Sequence, residues 1–184
     1  MWASYLRWRH SKGFGVHSPF AFGIVENVIN LPEKYGLYAY KGVSRSLNQK
    51  KNRHLRKEKN KIFFLLRLLS YLKIQKILYC DTPQAFLKIV SENTGIRLID
   101  IAGDRDFNIS EDCLLIFSDT DIEEGILNRF IERNGSMLFL FDDNDLSAKL
   151  ESEMSRGVIF RDKDMILAIP HQDMAFIKYD ITLY

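Results

Sequence analysis

The sequence predicts an α/β fold in which a mostly parallel sheet is flanked by helices and finished by an antiparallel hairpin. Two observations support this. From residue 62 to 154, short continuous apolar segments alternate with amphipathic helical segments, as in parallel sheets buried on both faces. After residue 157, apolar segments are separated only by turn-length gaps, which indicates antiparallel strands. The expected architecture is therefore Rossmann-like, in one domain of 184 residues.

The individual elements follow from periodicity and from turn residues. Helices are predicted at 19–29, 62–72, 83–93, 122–133 and 146–154. Strands are predicted at 76–80, 97–101, 113–117, 137–141, 158–161, 165–169 and 175–181. Gly95 and the pair Asn134-Gly135 stand where two of the helices are expected to end. We expect the last three to finish the sheet as antiparallel strands.

The first predicted helix has the clearest start signal. Ser18 is a good N-cap, and Pro19 suits the first helical position because its missing N–H would have no helical partner. Phe22, Val25 and Ile29 recur at helical spacing, so these three side chains are expected to face the core. Residues 1–60 are interpreted as a helical and basic N-terminal extension, and residues 61–184 as the α/β core.

A strongly basic stretch covers residues 41–61. It contains nine Lys and Arg residues and a single acid, Glu58. The basic residues are Lys41, Arg45, Lys50, Lys51, Arg53, Arg56, Lys57, Lys59 and Lys61. The favoured interpretation is a solvated loop leading into a helix, and the alternative is a surface for anions, RNA or a protein partner. No aromatic residue lies between Tyr40 and Phe63, which argues against a platform for stacking bases.

The composition also bears on the cellular setting. Cys80 and Cys113 lie inside apolar segments without metal-like spacing, which indicates reduced core thiols in a reducing compartment. The N-terminus is too charged for a signal peptide, and no stretch has the apolar length that a membrane span needs. We therefore expect a cytoplasmic protein that does not enter a membrane.

The N-terminus is rich in large apolar side chains. They are Trp2, Tyr5, Leu6, Trp8 and Phe14. Such a segment either packs on its own sheet or forms a homodimer contact, because aromatic residues are enriched in interface cores. The sequence leaves both possibilities open.

Two segments carry a resemblance to a known family. The string GVHSPF at 15–20, followed by a helix, resembles the opening of a bacterial group of methyltransferase-like proteins, and residues 113–143 resemble the fourth strand, helix and fifth strand of that group. A parallel sheet completed by an antiparallel hairpin is also the layout of class I S-adenosylmethionine-dependent methyltransferases. The resemblance implies this fold, S-adenosylmethionine as cofactor, and methyl transfer as the activity.

The chain departs from the family pattern where the cofactor would bind. The family's first strand ends in an acid and a glycine-rich loop, whereas residues 81–85 contain no glycine, and Pro83 removes a backbone donor. Asp81 and Thr82 could still touch a cofactor, and Asp100 stands near the spacing of a ribose-binding acid. A strand–helix unit of the adenosine pocket is reduced to 102–112. S-adenosylmethionine binding is therefore expected to be weakened or lost.

Five acids follow two neighbouring predicted strands. They are Asp119, Asp121, Asp142, Asp143 and Asp145. If the strands are parallel neighbours, these acids meet at one edge and could hold Mg²⁺. Metal-dependent O-methyltransferases of the catechol type use similar acids, a resemblance that implies Asp119, Asp143 and Asn144 as ligands. The favoured alternative is helix capping by Asp121, Asp143 or Asp145.

Three functional hypotheses remain at this point. The first is a methyltransferase-like scaffold that binds partners without the cofactor. The second is an active methyltransferase in which Asp119, Asp142, Asp143 or His17 orients the substrate or moves a proton. His17 is more simply explained as a residue that ties down a loop through hydrogen bonds. The third is an RNA- or protein-binding module that uses the basic stretch.

Overall fold

The computed structural model describes residues 2–13, 15–30, 38–80, 84–101, 107–110, 112–117, 124–140 and 143–182. The α-helices are α1 (Trp2–Ser11), α2 (Pro19–Ile24), α3 (Tyr38–Asn48), α4 (Lys59–Tyr71), α5 (Gln84–Thr94), α6 (Glu124–Glu132) and α7 (Asn144–Glu153). A π-helical turn, Val25–Ile29, continues α2, and a 3₁₀ helix, Lys50–Glu58, joins α3 to α4. The strands are β1 (Lys76–Cys80), β2 (Arg97–Asp100), β3 (Cys113–Phe117), β4 (Ser136–Phe139), β5 (Val158–Asp162), β6 (Met165–Ile169) and β7 (Ile177–Asp180).

The seven strands form one sheet in the order β2-β1-β3-β4-β6-β5-β7. Strands β1 to β4 pair in parallel, and β6 is antiparallel to both β4 and β5. The predicted parallel sheet with its antiparallel hairpin is therefore confirmed. The predicted antiparallel pairing of the last strand is wrong, because β7 pairs with β5 in parallel. Strand β7 runs opposite to β6, but the segment after β6 carries it past β5, so the two consecutive strands are not neighbours.

Helices cover both faces of the sheet. One face packs against buried residues of α2, α3, α4 and α5, through inward side chains such as Ile77, Leu114 and Phe160. The other face packs against α6 and α7, through side chains such as Leu115 and Met137. All five residues of β3 are buried, as expected for a central strand covered on both sides.

The sequence correctly predicted the N-terminal cap and the first residue of α2. The Ser18 side chain accepts a hydrogen bond from the Ala21 N–H at 3.3 Å, and Pro19 is the first helical residue, as predicted. The prediction that Phe22 faces the core is wrong, since 43% of this side chain is exposed. Its ring instead lies over Gly13, where a Cβ atom would stand 2.7 Å from the Phe22 ring. The buried side of the segment includes Ile24.

The basic stretch is not the predicted loop. It forms most of α3 and the whole 3₁₀ helix before entering α4. The helix that follows holds the apolar segment predicted at 62–72, and Arg67 is buried within it. Arg67 Nε donates to the Val28 carbonyl, and its Nη1 lies 3.4 Å from the Tyr40 hydroxyl. This arginine therefore joins α4 to the π turn and to α3.

The N-terminal segment docks on the last strand. The His10 ring lies edge-on to Tyr179 with centroids 5.5 Å apart, and His10 Nδ1 is 3.0 Å from the Asp180 carbonyl oxygen. Tyr5 and Trp8 stack on each other, yet about half of each side chain is exposed. The segment thus packs on its own sheet, and the homodimer contact stays a prediction. Across the described part of the chain, every helix is too short or too polar to span a membrane.

Candidate site at the carboxyl edge of the sheet

The carboxyl ends of β1, β2, β3 and β4 lie along one edge, where open α/β sheets bind ligands. The loops that follow these strands include residues 81–83, 102–106, 118–123 and 141–142, which fall outside the described residues. Five predicted site residues are in those loops: Asp81, Thr82, Asp119, Asp121 and Asp142. Their roles stay predictions. Asp100, Asp143, Asn144 and Asp145 are described.

Asp100 lies beside the end of the first strand. It is the register partner of Tyr79, and the Ile101 N–H donates to the Tyr79 carbonyl at 3.0 Å. The Asp100 side chain is exposed, while Cys80 is half-buried. The structure therefore brings Asp100 to the edge that the sequence assigned to it.

A hollow of about 370 Å³ opens beside these strand ends, on the α5 side of the sheet. Its lining residues are Tyr79, Ala85, Leu87, Lys88 and Leu98. Most of this lining is apolar, with one cation, Lys88. Because β2 is the outermost strand, the hollow is open toward the sheet edge.

One of the described acids after β4 caps a helix. Asp143 Oδ1 accepts the Asp145 N–H at 2.8 Å, so Asp143 is the N-cap of α7, as the capping interpretation predicted. Asn144 Oδ1 accepts a hydrogen bond from Arg161 Nη2 at 2.6 Å. Within the described residues, no group of three or more His, Cys, Asp or Glu side chains is placed to hold a metal ion. The magnesium site stays a prediction because Asp119 lies outside the described residues.

His17 lies at the opposite edge of the sheet from Asp100. Its imidazole is exposed, and its main chain is hydrogen-bonded to the hydroxyl of Tyr179 on β7. Burial raises the pKa of Tyr179, and the hydrogen bond with the His17 main chain offsets part of that rise. Strand spacing puts β7 and β2 about 29 Å apart across the sheet. The structure does not bring His17 and Asp100 into one site.

The sequence did not indicate a polar cluster that ties α7 to β5 and β7. Glu151 Oε1 accepts hydrogen bonds from Lys178 Nζ and from Ser147 Oγ, the latter at 3.1 Å. Arg161, which bonds Asn144, adds a further positive charge near Glu151. The Lys178 hydrogen bond is the main cause that holds the pKa of Glu151 below its usual value, against a smaller opposing effect of burial.

This cluster makes stability sensitive to acid. The folded-state pKa of Glu151 is depressed, so its contribution is fully present above the unfolded value, near 4.5, and is lost as pH falls through the folded pKa. We expect Glu151→Gln to lose less unfolding free energy than wild type between pH 6 and pH 3. Urea denaturation followed by circular dichroism at both pH values checks this. Equal losses in the two proteins would contradict it.

The segment between β2 and β3 packs against α6. In its described part, residues 107–110, there is neither a strand nor a helix, and Phe107 and Ile109 are buried. The Arg129 guanidinium lies 4.6 Å from the centre of the Phe107 ring, and Arg129 Nη2 donates to the Phe107 carbonyl at 2.9 Å. The Phe107 and Phe130 ring centroids are 6.2 Å apart. Residues 107–110 thus pack on the α6 face of the sheet, and β2 is the outer strand of the described sheet.

The segment ends in a second polar contact, just before β3. A hydrogen bond from Ser110 is the main cause that lowers the pKa of Asp112, and Lys76 adds an attraction, with its Nζ 3.7 Å from Asp112 Oδ1. This contact fixes the entry to the buried central strand.

Comparison of the chain with protein-family models, with curated proteins and with solved structures gave no match.

Proposed function

We propose that this chain is a methyltransferase-fold protein in which S-adenosylmethionine binding is lost or greatly weakened, and that it works as a binding module. The layout of the sheet supports the first part. Four parallel strands are completed by the antiparallel hairpin of β5 and β6, which is the layout that the sequence resemblance implies. The proposed loss of cofactor binding is supported by the position of β2 at the outer edge of that sheet.

The observation that carries the proposal is the position of β2. In the family that the sequence resembles, a further strand–helix unit forms part of the adenosine pocket. In the described part of this chain β2 is the outermost strand, and Phe107 and Ile109, from the connection to β3, pack on α6. Those side chains are buried against Phe130. This arrangement supports the proposed loss of the adenosine half of the cofactor pocket, even though Asp100 is exposed.

The glycine-free sequence after β1 supports the same conclusion. A cofactor bound against a backbone needs positions without a Cβ atom and with free N–H groups. Residues 81–85 offer no glycine and include Pro83. After β4, two strands away from β1, Asp143 caps α7 with its side chain, which commits one of its oxygens to the protein backbone.

Isothermal titration calorimetry with S-adenosylmethionine tests this proposal. We expect no heat of binding above dilution at ligand concentrations up to the millimolar range, because β2 is the outermost strand of the described sheet and no glycine follows β1 at 81–85. S-adenosylhomocysteine, which lacks the methyl group, is the second titrant and is expected to behave the same way. A dissociation constant in the micromolar range for either ligand would contradict the proposal and favour an active methyltransferase.

A further inference from the structure

The 3₁₀ helix, Lys50–Glu58, contains five of the nine basic residues of the stretch, and its side chains lie in three rows along the helix axis. It runs without a break for nine residues, whereas such helices rarely exceed three or four. With three residues per turn, side chains three positions apart lie in one row. One row faces the protein: Leu55 is buried, and Asn52 and Glu58 are half-buried.

The other two rows face solvent and carry only basic side chains. The first outward row is Lys50, Arg53 and Arg56, and the second is Lys51, His54 and Lys57. All six are exposed. Successive members of a row are about 6 Å apart along the axis, and eclipsed like charges at this spacing repel each other. A polyanion laid along the helix would relieve this repulsion.

The rows are held in place by the surrounding protein. Arg56 donates to the carbonyls of Leu47 and Asn48, at 3.1 and 3.2 Å, at the end of α3. Asn52 Nδ2 donates to the Ser46 carbonyl at 2.9 Å. Together with the buried Leu55, these bonds fix the helix against α3. An anionic partner would therefore meet a helix whose backbone is already fixed, so binding needs little further ordering of the backbone.

A hollow of about 330 Å³ lies between α3 and α4, the two helices that precede and follow the 3₁₀ helix in the chain. Its lining residues are Tyr40, Lys41, Ser44, Arg45 and Phe63. The rings of Tyr40 and Phe63 meet edge to face, 4.6 Å apart, and both are buried, so they form the floor of the hollow. Lys59 Nζ lies 5.0 Å from the centre of the Phe63 ring. The fold therefore joins two aromatic residues that the sequence places at opposite ends of the basic stretch.

The charge of the chain is divided unevenly. Residues 41–61 carry nine Lys and Arg side chains and one acidic side chain, whereas the rest of the chain carries 17 Lys and Arg and 23 Asp and Glu side chains. The overall charge of +2 hides this separation. A polyanion would be attracted to the 3₁₀ face and repelled by the remainder, which orients its approach.

We propose that the 3₁₀ face, defined as the two outward rows, binds the phosphodiester backbone of a nucleic acid strand. The helix is about 18 Å long, which corresponds to about five nucleotides of a strand. A membrane surface fits less well, because helices that lie on membranes insert apolar side chains, and the outward rows have none. This inference names the partner of the binding module and so rests on the function proposed above.

Fluorescence anisotropy with a labelled 20-nucleotide single-stranded RNA tests the inference, using the full chain at several salt concentrations. The test variant replaces Lys50, Lys51, Arg53 and Lys57 by Gln. The matched control replaces four exposed cations elsewhere, Lys12, Lys73, Arg133 and Lys163, by Gln, so that both variants have the same net charge. Circular dichroism confirms that both are folded. Vesicles containing phosphatidylserine are a second ligand.

We expect wild type and the control variant to bind the RNA with similar affinity, and the test variant to bind at least about tenfold more weakly at 0.1 M salt. The slope of log K against log salt is expected to fall by about three for the four lost cations. Equal weakening in both variants, salt-insensitive binding, or binding to vesicles but not to RNA would overturn the inference. S-adenosylmethionine calorimetry is independent of this assay, so the two proposals can fail separately.

Discussion

Replacing Gly157 by alanine is expected to lower the free energy of unfolding by more than about 4 kcal/mol. Gly157 has φ +119°, a conformation that L-residues rarely adopt, and a Cβ atom there would collide with the Ile169 carbonyl oxygen and stand 2.8 Å from Pro170 Cα. The backbone cannot easily shift, because Gly157 N donates to Met174 O at 3.3 Å and its carbonyl accepts from Ile177 N at 3.0 Å. The substitution would separate β7 from β5.

Gly125→Ala is the matched control for this experiment. Gly125 lies in α6 with nothing within 4 Å of a Cβ atom, so alanine should stabilise the protein by up to about 1 kcal/mol through helix propensity. Urea denaturation followed by far-ultraviolet circular dichroism measures both variants. A loss below about 1 kcal/mol for Gly157→Ala would show that the turn before β5 is less constrained than the structure indicates.

Phe130→Ala is expected to cost about 3 to 5 kcal/mol of unfolding free energy. Phe130 is fully buried on α6, its ring lies close to Phe107, and Gly135 packs directly against it. Truncation would leave a cavity beneath the segment that joins β2 to β3. We therefore also expect faster hydrogen exchange at the backbone amides of 107–110, measured by mass spectrometry.

Phe22→Ala provides the corresponding control. This phenylalanine is 43% exposed and covers Gly13, so its removal should cost less than about 1.5 kcal/mol and leave hydrogen exchange at 107–110 unchanged. If Phe130→Ala destabilised the protein without any change in exchange at 107–110, the packing of that segment on α6 would be contradicted. If the two variants had equal costs, the assignment of Phe130 to the core would be wrong.

The sheet was predictable because burial on both faces leaves continuous apolar runs in the sequence. Strands β1, β3 and β6 have the bounds that these runs predict. The pairing of β7 was not predictable, since an apolar segment after a short gap does not indicate which neighbour it joins. The exposure of Phe22 was missed for a related reason: helical spacing marks one face, but contact with Gly13 depends on tertiary structure.

The candidate site was predictable only in part. Spacing along the chain placed Asp100 at the carboxyl edge, and capping rules explained Asp143. The Glu151–Lys178 contact joins residues 27 positions apart, so no local pattern indicates it. The two basic rows were hidden because their period of three appears only once the segment is known to be a 3₁₀ helix, and the composition alone suggested a loop.

We propose that the carboxyl edge at β1 and β2 does not bind S-adenosylmethionine. Amide chemical shifts of ¹⁵N-labelled protein, followed as the cofactor is added to millimolar concentration, test it most directly. We expect unchanged shifts at Tyr79, Cys80, Asp100 and Ile101, which lie at the strand ends where a cofactor would bind. Saturable shifts at these four residues, with a midpoint in the micromolar range, would contradict it.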